Sequence, residues 1–186
     1  MSSRTRFSAV MVIMVLVGVL GMQGVLVSQV LKEKKRIFIY TGGGYAFSKV
    51  VGPYAELGVD VEVFPKIYLR GMVDYYSKPD VKNSGGKSDY AYGLNVILVY
   101  KVALSDLLNF NVSVGGHQTT VSTTVLSSGV SIKVSEAYKG ISGGLSMEYQ
   151  LSNRWYFHFG GGAKYMKSPV PGTWIKLNGG FLFRVK

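Results

Sequence analysis

The side chains able to do acid-base or coordination chemistry in this 186-residue chain are few: two histidines, ten carboxylates and no cysteine. His117 precedes Thr119 by two positions, a near miss of the His-x-Ser spacing at which an imidazole activates a hydroxyl. Nucleophilic catalysis also needs a group that orients the base. The alternation described below turns His117 inward, whereas an apolar substrate would be met on the outer face. His158 lies between Phe157 and Phe159 and reads as a polar interior residue. Two isolated histidines without a thiolate make a poor metal site. The sequence therefore gives no catalytic residue, no metal site and no cofactor site.

Charge is instead dealt out at every second position, which makes the strand the element that must position it. In Tyr54–Phe64, Ala55, Leu57, Val59, Val61 and Val63 fall on one face and Glu56, Gly58, Asp60 and Glu62 on the other, because strand side chains alternate with a period of two. Eight such segments follow one another: 36–48, 54–64, 67–78, 89–101, 107–118, 136–151, 155–167 and 173–185, with Val51-Gly52-Pro53 expected as the turn that ends the first. Their polar faces carry Glu56, Asp60, Glu62, Arg70, Asp74, Glu148, His158, Lys164, Lys176 and Arg184. Repeated eight times, the pattern predicts an all-β chain: a closed eight-stranded antiparallel up-and-down barrel, apolar outside and polar inside. An eight-stranded barrel is filled by its own side chains, so these charges should pair as a plug. A narrow ion path through them is the rival reading.

Composition agrees. Twenty-four glycines and thirteen tyrosines suit a membrane barrel. The glycine runs 42–44, 115–116, 143–144, 160–162 and 179–180 fall within strands, so they cannot be phosphate loops. They admit sharp curvature or overlie a ligand cavity. Residues 1–31 form a separate unit: Arg4 and Arg6 precede an apolar run, Phe7 to Val27, read as a secretory signal peptide. An uncleaved hydrophobic helix is the alternative, since the run is long enough to span a bilayer. The barrel domain is 32–186. Arg4 and Arg6 are the only charged residues before Lys32, leaving 19 basic and 10 acidic groups, a balance of +9. No arginine-aromatic cluster points to nucleic acid, and anionic lipid is the more natural counterpart.

Connections supply an independent check. The even-numbered ones, Pro65-Lys66, Leu104–Asp106 and Ser152-Asn153, are tight, and the two long ones, 79–88 and 119–135, are both odd-numbered. Long loops thus share one end, the polarity of outer-membrane barrels. Over nearly everything after the leader, the chain resembles a small outer-membrane β-barrel protein of the OmpA/OmpX-like, porin-superfamily type. Asn178-x-Gly180-x-x-Phe183-x-Val185 is similar to the C-terminal signal read by barrel-assembly machinery, although Val185-Lys186 replaces the commoner terminal aromatic. The resemblance implies a bacterial outer-membrane location, with membrane lipid and lipopolysaccharide as surroundings.

Two aromatic girdles are expected, Tyr75, Tyr90, Tyr92 and Tyr165 toward the loops, and Tyr100, Tyr149, Trp155 and Phe183 toward the turns. Segment 119–135, rich in Ser, Thr and Val, could extend its strands as an exposed hairpin whose edge pairs with a partner. Lys78, Lys82, Lys87, Lys133, Lys139, Lys164 and Lys167 are candidates for lipopolysaccharide phosphates. A structural or surface-interaction role without enzymatic activity is the expectation. A soluble lipocalin-like barrel would reverse the two faces and bind an apolar ligand inside.

Overall fold

The computed structural model describes residues 35–48, 50–81, 87–127, 130–168 and 172–185. The leader expected over 1–31 lies outside them, as does Lys82. Eight long strands run β1 Ile37–Ser48, β2 Val50–Phe64, β3 Ile67–Ser77, β4 Lys87–Ala103, β5 Leu108–Ser127, β6 Val130–Gln150, β7 Trp155–Ser168 and β8 Gly172–Arg184. A two-residue segment, Asp80–Val81, pairs with the start of β2. Each strand is antiparallel to the next, and β1 pairs with both β2 and β8. The sheet closes on itself, and no strand of the barrel wall is left with an open edge along its full length.

The two-residue period decides which way each side chain points. Outward positions such as Leu57, Val96, Val114, Ile141 and Leu145 are 55–65% exposed, while Glu56, Asp60, Asp74, Lys164 and Lys176 are buried. Among the described wall residues, charged residues on the outward register, such as Lys133, Lys139 and Lys167, lie beyond the girdles. A closed sheet that shows apolar side chains to its surroundings and keeps its charges within is built for hydrocarbon. The reversed, lipocalin-like arrangement is overturned by these orientations.

Several boundaries differ from the sequence reading. Val51-Gly52-Pro53 was expected as the first turn, but β2 already runs through it, with Gly52 opposite Ala46 and Pro53 opposite Tyr45. Gly52 holds φ +151°, open to glycine, and packs on Pro79; the chain reverses earlier, after Ser48 at φ 81°. The strands β5 and β6 are much longer than expected, at 20 and 21 residues, and pair continuously from Leu108↔Tyr149 to Ser127↔Val130. About 9–11 residues cross the hydrocarbon, so roughly half of each strand stands outside it as a hairpin. The even-numbered turns are tight as expected. Leu104 N–H donates to Leu108 O at 2.8 Å and Leu151 N–H to Trp155 O at 2.9 Å.

Candidate functional site

The lumen is organised in three layers. At the loop end, Tyr54, Tyr76, Val121, Tyr138, Met166 and Trp174 form an apolar plug. Tyr76 stacks on Trp174 at 5.6 Å and packs on Tyr54 at 5.2 Å. At the turn end, Phe38, Tyr68, Val99, Tyr156 and Leu182 form a second plug, with Phe38 edge-on to Tyr156 and Tyr68. Between them lies a belt of four buried carboxylates, Glu56, Asp60, Asp74 and Glu148, and four buried cations, Arg70, Lys101, Lys164 and Lys176. Charges removed from water must be matched, and here the numbers are equal.

Toward the loop end, Lys164 Nζ donates to Asp74 Oδ2 at 2.5 Å, and Lys176 Nζ bridges Asp74 Oδ2 at 3.1 Å and Glu56 Oε2 at 3.0 Å. The Tyr76 hydroxyl adds a third donor to Asp74 at 3.0 Å. Glu56 Oε1 accepts from Asn178 Nδ2 at 2.7 Å and from the Tyr40 hydroxyl. Gly93 sits opposite Asp74 on the neighbouring strand, and any Cβ there would collide with Asp74 Oδ1. This glycine makes the room in which the cluster assembles. Toward the turn end, Arg70 grips Asp60 with both Nε and Nη2 at 2.6 and 2.8 Å. Lys101 Nζ reaches both oxygens of Glu148 at 2.9 Å and lies 4.5–4.7 Å from the Tyr68 and Phe38 ring centroids.

Of the ten residues expected in the interior network, Glu56, Asp60, Arg70, Asp74, Glu148, Lys164 and Lys176 are joined in it. His158 is buried beside Tyr40 at 5.1 Å without a hydrogen-bond partner on either ring nitrogen among the described residues. Glu62 sits nearer the mouth, accepting from the Arg36 backbone N–H at 3.1 Å. Arg184 is half-buried at the same mouth, apart from the belt. Lys101 was missed by the sequence reading, although the outward Tyr100 beside it gives its orientation by parity. Lys164, offered there also as a rim contact, is held inside by Asp74. His117 faces inward, with Nε2 3.3 Å from Tyr165 O and Nδ1 3.5 Å from Thr119 Oγ1, and it packs on Trp174.

Among the described residues, the cavity that borders the glycine runs is smaller than a ligand chamber. Beside β6 and β7 the lumen holds a cavity of about 70 Å³ lined by residues including Ser142, Gly144, Ser146, His158 and Gly162. That is room for about two waters, far below the ~300 Å³ of a small ligand pocket.

Outside, Tyr75, Tyr92 and Tyr165 are exposed toward the loops and Tyr90 is half-buried, stacked 6.4 Å from Tyr75. Tyr100, Tyr149 and Trp155 are exposed toward the turns, with Phe183 5.0 Å from Trp155. In the last strand, Asn178 turns inward onto Glu56, Gly180 lies against Thr41 and Gly42 of β1, and Phe183 and Val185 point outward.

The β5–β6 hairpin completes the picture. Thr124 Oγ1 donates to Asp89 at 2.7 Å, Lys133 Nζ lies 3.7 Å from the same carboxylate and sits over the Tyr90 ring, so β4 braces one side. On the other side β7 reaches only as far as Lys139↔Ser168. Gln150 N–H donates to Leu107 O on the β5 side. Groups alternate direction along a strand and the β5–β6 register is unbroken. Ser131, Lys133, Ser135 and Ala137 therefore direct their backbone groups away from β5, to an edge with no strand on it among the described residues. Val130, Ile132 and Val134 beside them are 41–60% exposed.

No family model matches the chain, and no curated protein matches it. Solved structures do. A major outer membrane protein from Thermus thermophilus aligns with a TM-score of 0.64 at 14% identity, over 82% of this chain and 100% of that one. The N-terminal β-barrel domain of Pseudomonas aeruginosa OprF aligns at 0.57 and 13%, over 80% and 96%. Ail of Yersinia pestis, solved with the heparin analogue sucrose octasulfate, aligns at 0.51 and 12%, over 80% and 97%. The fold is that of the small outer-membrane barrels. At these identities the likeness concerns architecture, and the barrel's own side chains carry the rest.

Proposed function

We propose that this chain is an outer-membrane barrel of the bacterial envelope that acts as a surface-interaction scaffold, with the β5–β6 hairpin as its working element. The observation that carries this reading is the backbone edge Ser131–Ala137, which projects beyond the barrel with its β7 side unpaired among the described residues. An edge of that kind accepts an extended segment of a partner, main chain to main chain, with side-chain pockets setting specificity. The Ail barrel bound to a sulfated sugar supports the use of such a scaffold for surface ligands. Lys139 and Lys167, just beyond Tyr165 on the outward register, suit lipopolysaccharide phosphates. The Asn178, Gly180, Phe183 and Val185 pattern suits recognition by the assembly machinery.

Steady conduction is disfavoured, because two apolar plugs and a paired charge belt occupy the lumen. Catalysis is disfavoured because the one imidazole within hydrogen-bonding distance of a hydroxyl, His117, is enclosed beneath Trp174.

The test uses the full chain in nanodiscs, probed with arrays of extended eight-residue peptides. Ser135→Pro removes an edge N–H without breaking the β5–β6 ladder, so peptide binding should be lost in it and kept in Lys78→Gln. Binding that survives Ser135→Pro would move specificity away from the edge.

A further inference from the structure

The turn end of the barrel carries a second feature that the hairpin reading does not use. Arg184 N–H donates to Arg154 O at 2.7 Å, which continues the β7–β8 register one rung past Trp155↔Phe183. The two arginines therefore stand directly opposite each other on neighbouring strands. Like charges so placed repel, and neither guanidinium has a carboxylate within 4.0 Å among the described residues. Arg36, on β1's approach, has Glu62 at 4.0 Å.

Depth identifies what would answer this charge. Trp155 and Phe183, the residues immediately inward along the two strands, touch at 5.0 Å in the turn-end girdle. Arg154 and Arg184 thus lie one residue beyond the aromatic belt, at the level of lipid headgroups, on the register opposite to outward Trp155 and Phe183, so that their stems start from the barrel mouth. On the lipid side of the same corner, Leu151, Ser152, Trp155 and Phe181 line an apolar depression, a seat for the start of an acyl chain. Arginine forks match phosphate oxygens two at a time, and long arginine stems let the head groups swing to the rim.

We infer that Arg154 and Arg184 form a phosphate clamp that retains an anionic phospholipid in the leaflet on the turn side, its acyl chain lying along Trp155 and Phe181. This rests on the membrane reading above. The experiment separates the two, since folding is scored first, by the shift between unboiled and boiled bands in purely zwitterionic vesicles. A chain that fails to shift there overturns the membrane reading itself.

Trp155 reports the site. In a Trp174→Phe background it is the sole indole, and its quenching by brominated phosphatidylglycerol is compared with brominated phosphatidylcholine in mixed vesicles. One basic residue near an anionic surface is worth roughly a fivefold enrichment, so quenching should show anionic lipid enriched by at least that factor. The Arg154→Gln/Arg184→Gln variant should fall to the bulk ratio, while Lys66→Gln on another turn should not change it. Native mass spectrometry of the unaltered chain, counting retained phosphatidylglycerol, gives a second readout should Trp174→Phe fail to fold. Enrichment that persists in the double variant overturns the clamp. So does loss of enrichment under millimolar inorganic phosphate at constant ionic strength, an outcome that would reassign the site to soluble phosphate.

Discussion

Asp74 is the residue on which the lumen depends most. It accepts from Lys164, Lys176 and Tyr76 at once, and removing it strands the buried Lys164 ammonium and leaves Lys176 with Glu56 alone. Breaking one partner of a buried ion pair costs about 3–5 kcal/mol, so Asp74→Ala should lower the urea midpoint of the refolded barrel by that equivalent. A surface change such as Lys66→Ala should stay within about 0.5 kcal/mol. Gly93→Ala tests the same cluster from the other strand: its new methyl would strike the Asp74 carboxylate, and a loss of at least about 1 kcal/mol is expected in the same assay. Residue by residue, the orientation of this belt was legible in sequence and its partners were not. Parity puts Glu148 inside, but that it meets Lys101 and not Lys176 depends on how strands wrap around the closed sheet.

At the level of the element, the lesson lies in β5 and β6. Their lower halves alternate sharply, as in Leu108, Phe110, Val112 and Val114 against Asn109, Asn111 and Ser113. Their upper halves, Thr119–Val125 above all, alternate between residues of nearly equal polarity. With little hydrophobic contrast the segment reads as a loop, although Ser, Thr and Val are found readily in strands of this kind and Thr and Val are good strand formers, and its continuation as a ladder was open to the sequence only as a possibility. A variant in which 122–134 is replaced by Asn-Gly should still fold and still show a heat-shifted band. It should lose peptide binding, because the closed wall below needs nothing from the hairpin. The turn at Gly52 was misplaced for a different reason. A Gly-Pro pair is the usual mark of a turn, and here the pair is accommodated within β2 by φ +151° and by the packing on Pro79.

For the whole molecule, the two plugs and the belt make one prediction together. Refolded into a planar bilayer at neutral pH, the chain should give no resolved unitary current steps. Trp174→Ala with Tyr156→Ala, one from each plug, should raise leak conductance while the heat-shifted band persists. Regular steps from the unaltered chain would show that the plugs open on their own. The closed architecture itself was the most legible property of all, because eight alternations in succession and the placement of both long connections at one end leave few other ways to bury the polar faces.

The uncharged outward register has a mechanical consequence. With the lumen charges balanced among themselves, the surplus positive charge is displayed at the two ends, on Lys139 and Lys167 above and on Arg36, Arg154 and Arg184 below. A shift of the barrel along its axis would pull one of these sets into hydrocarbon, where a cation costs about 2–4 kcal/mol near the midplane and almost nothing at the boundary. The molecule is held like a rivet, its two basic heads wider in energy than the hole they would have to pass. The hairpin edge is thereby kept at a fixed height above the membrane, and a partner of the kind proposed would meet it at a constant distance from the surface.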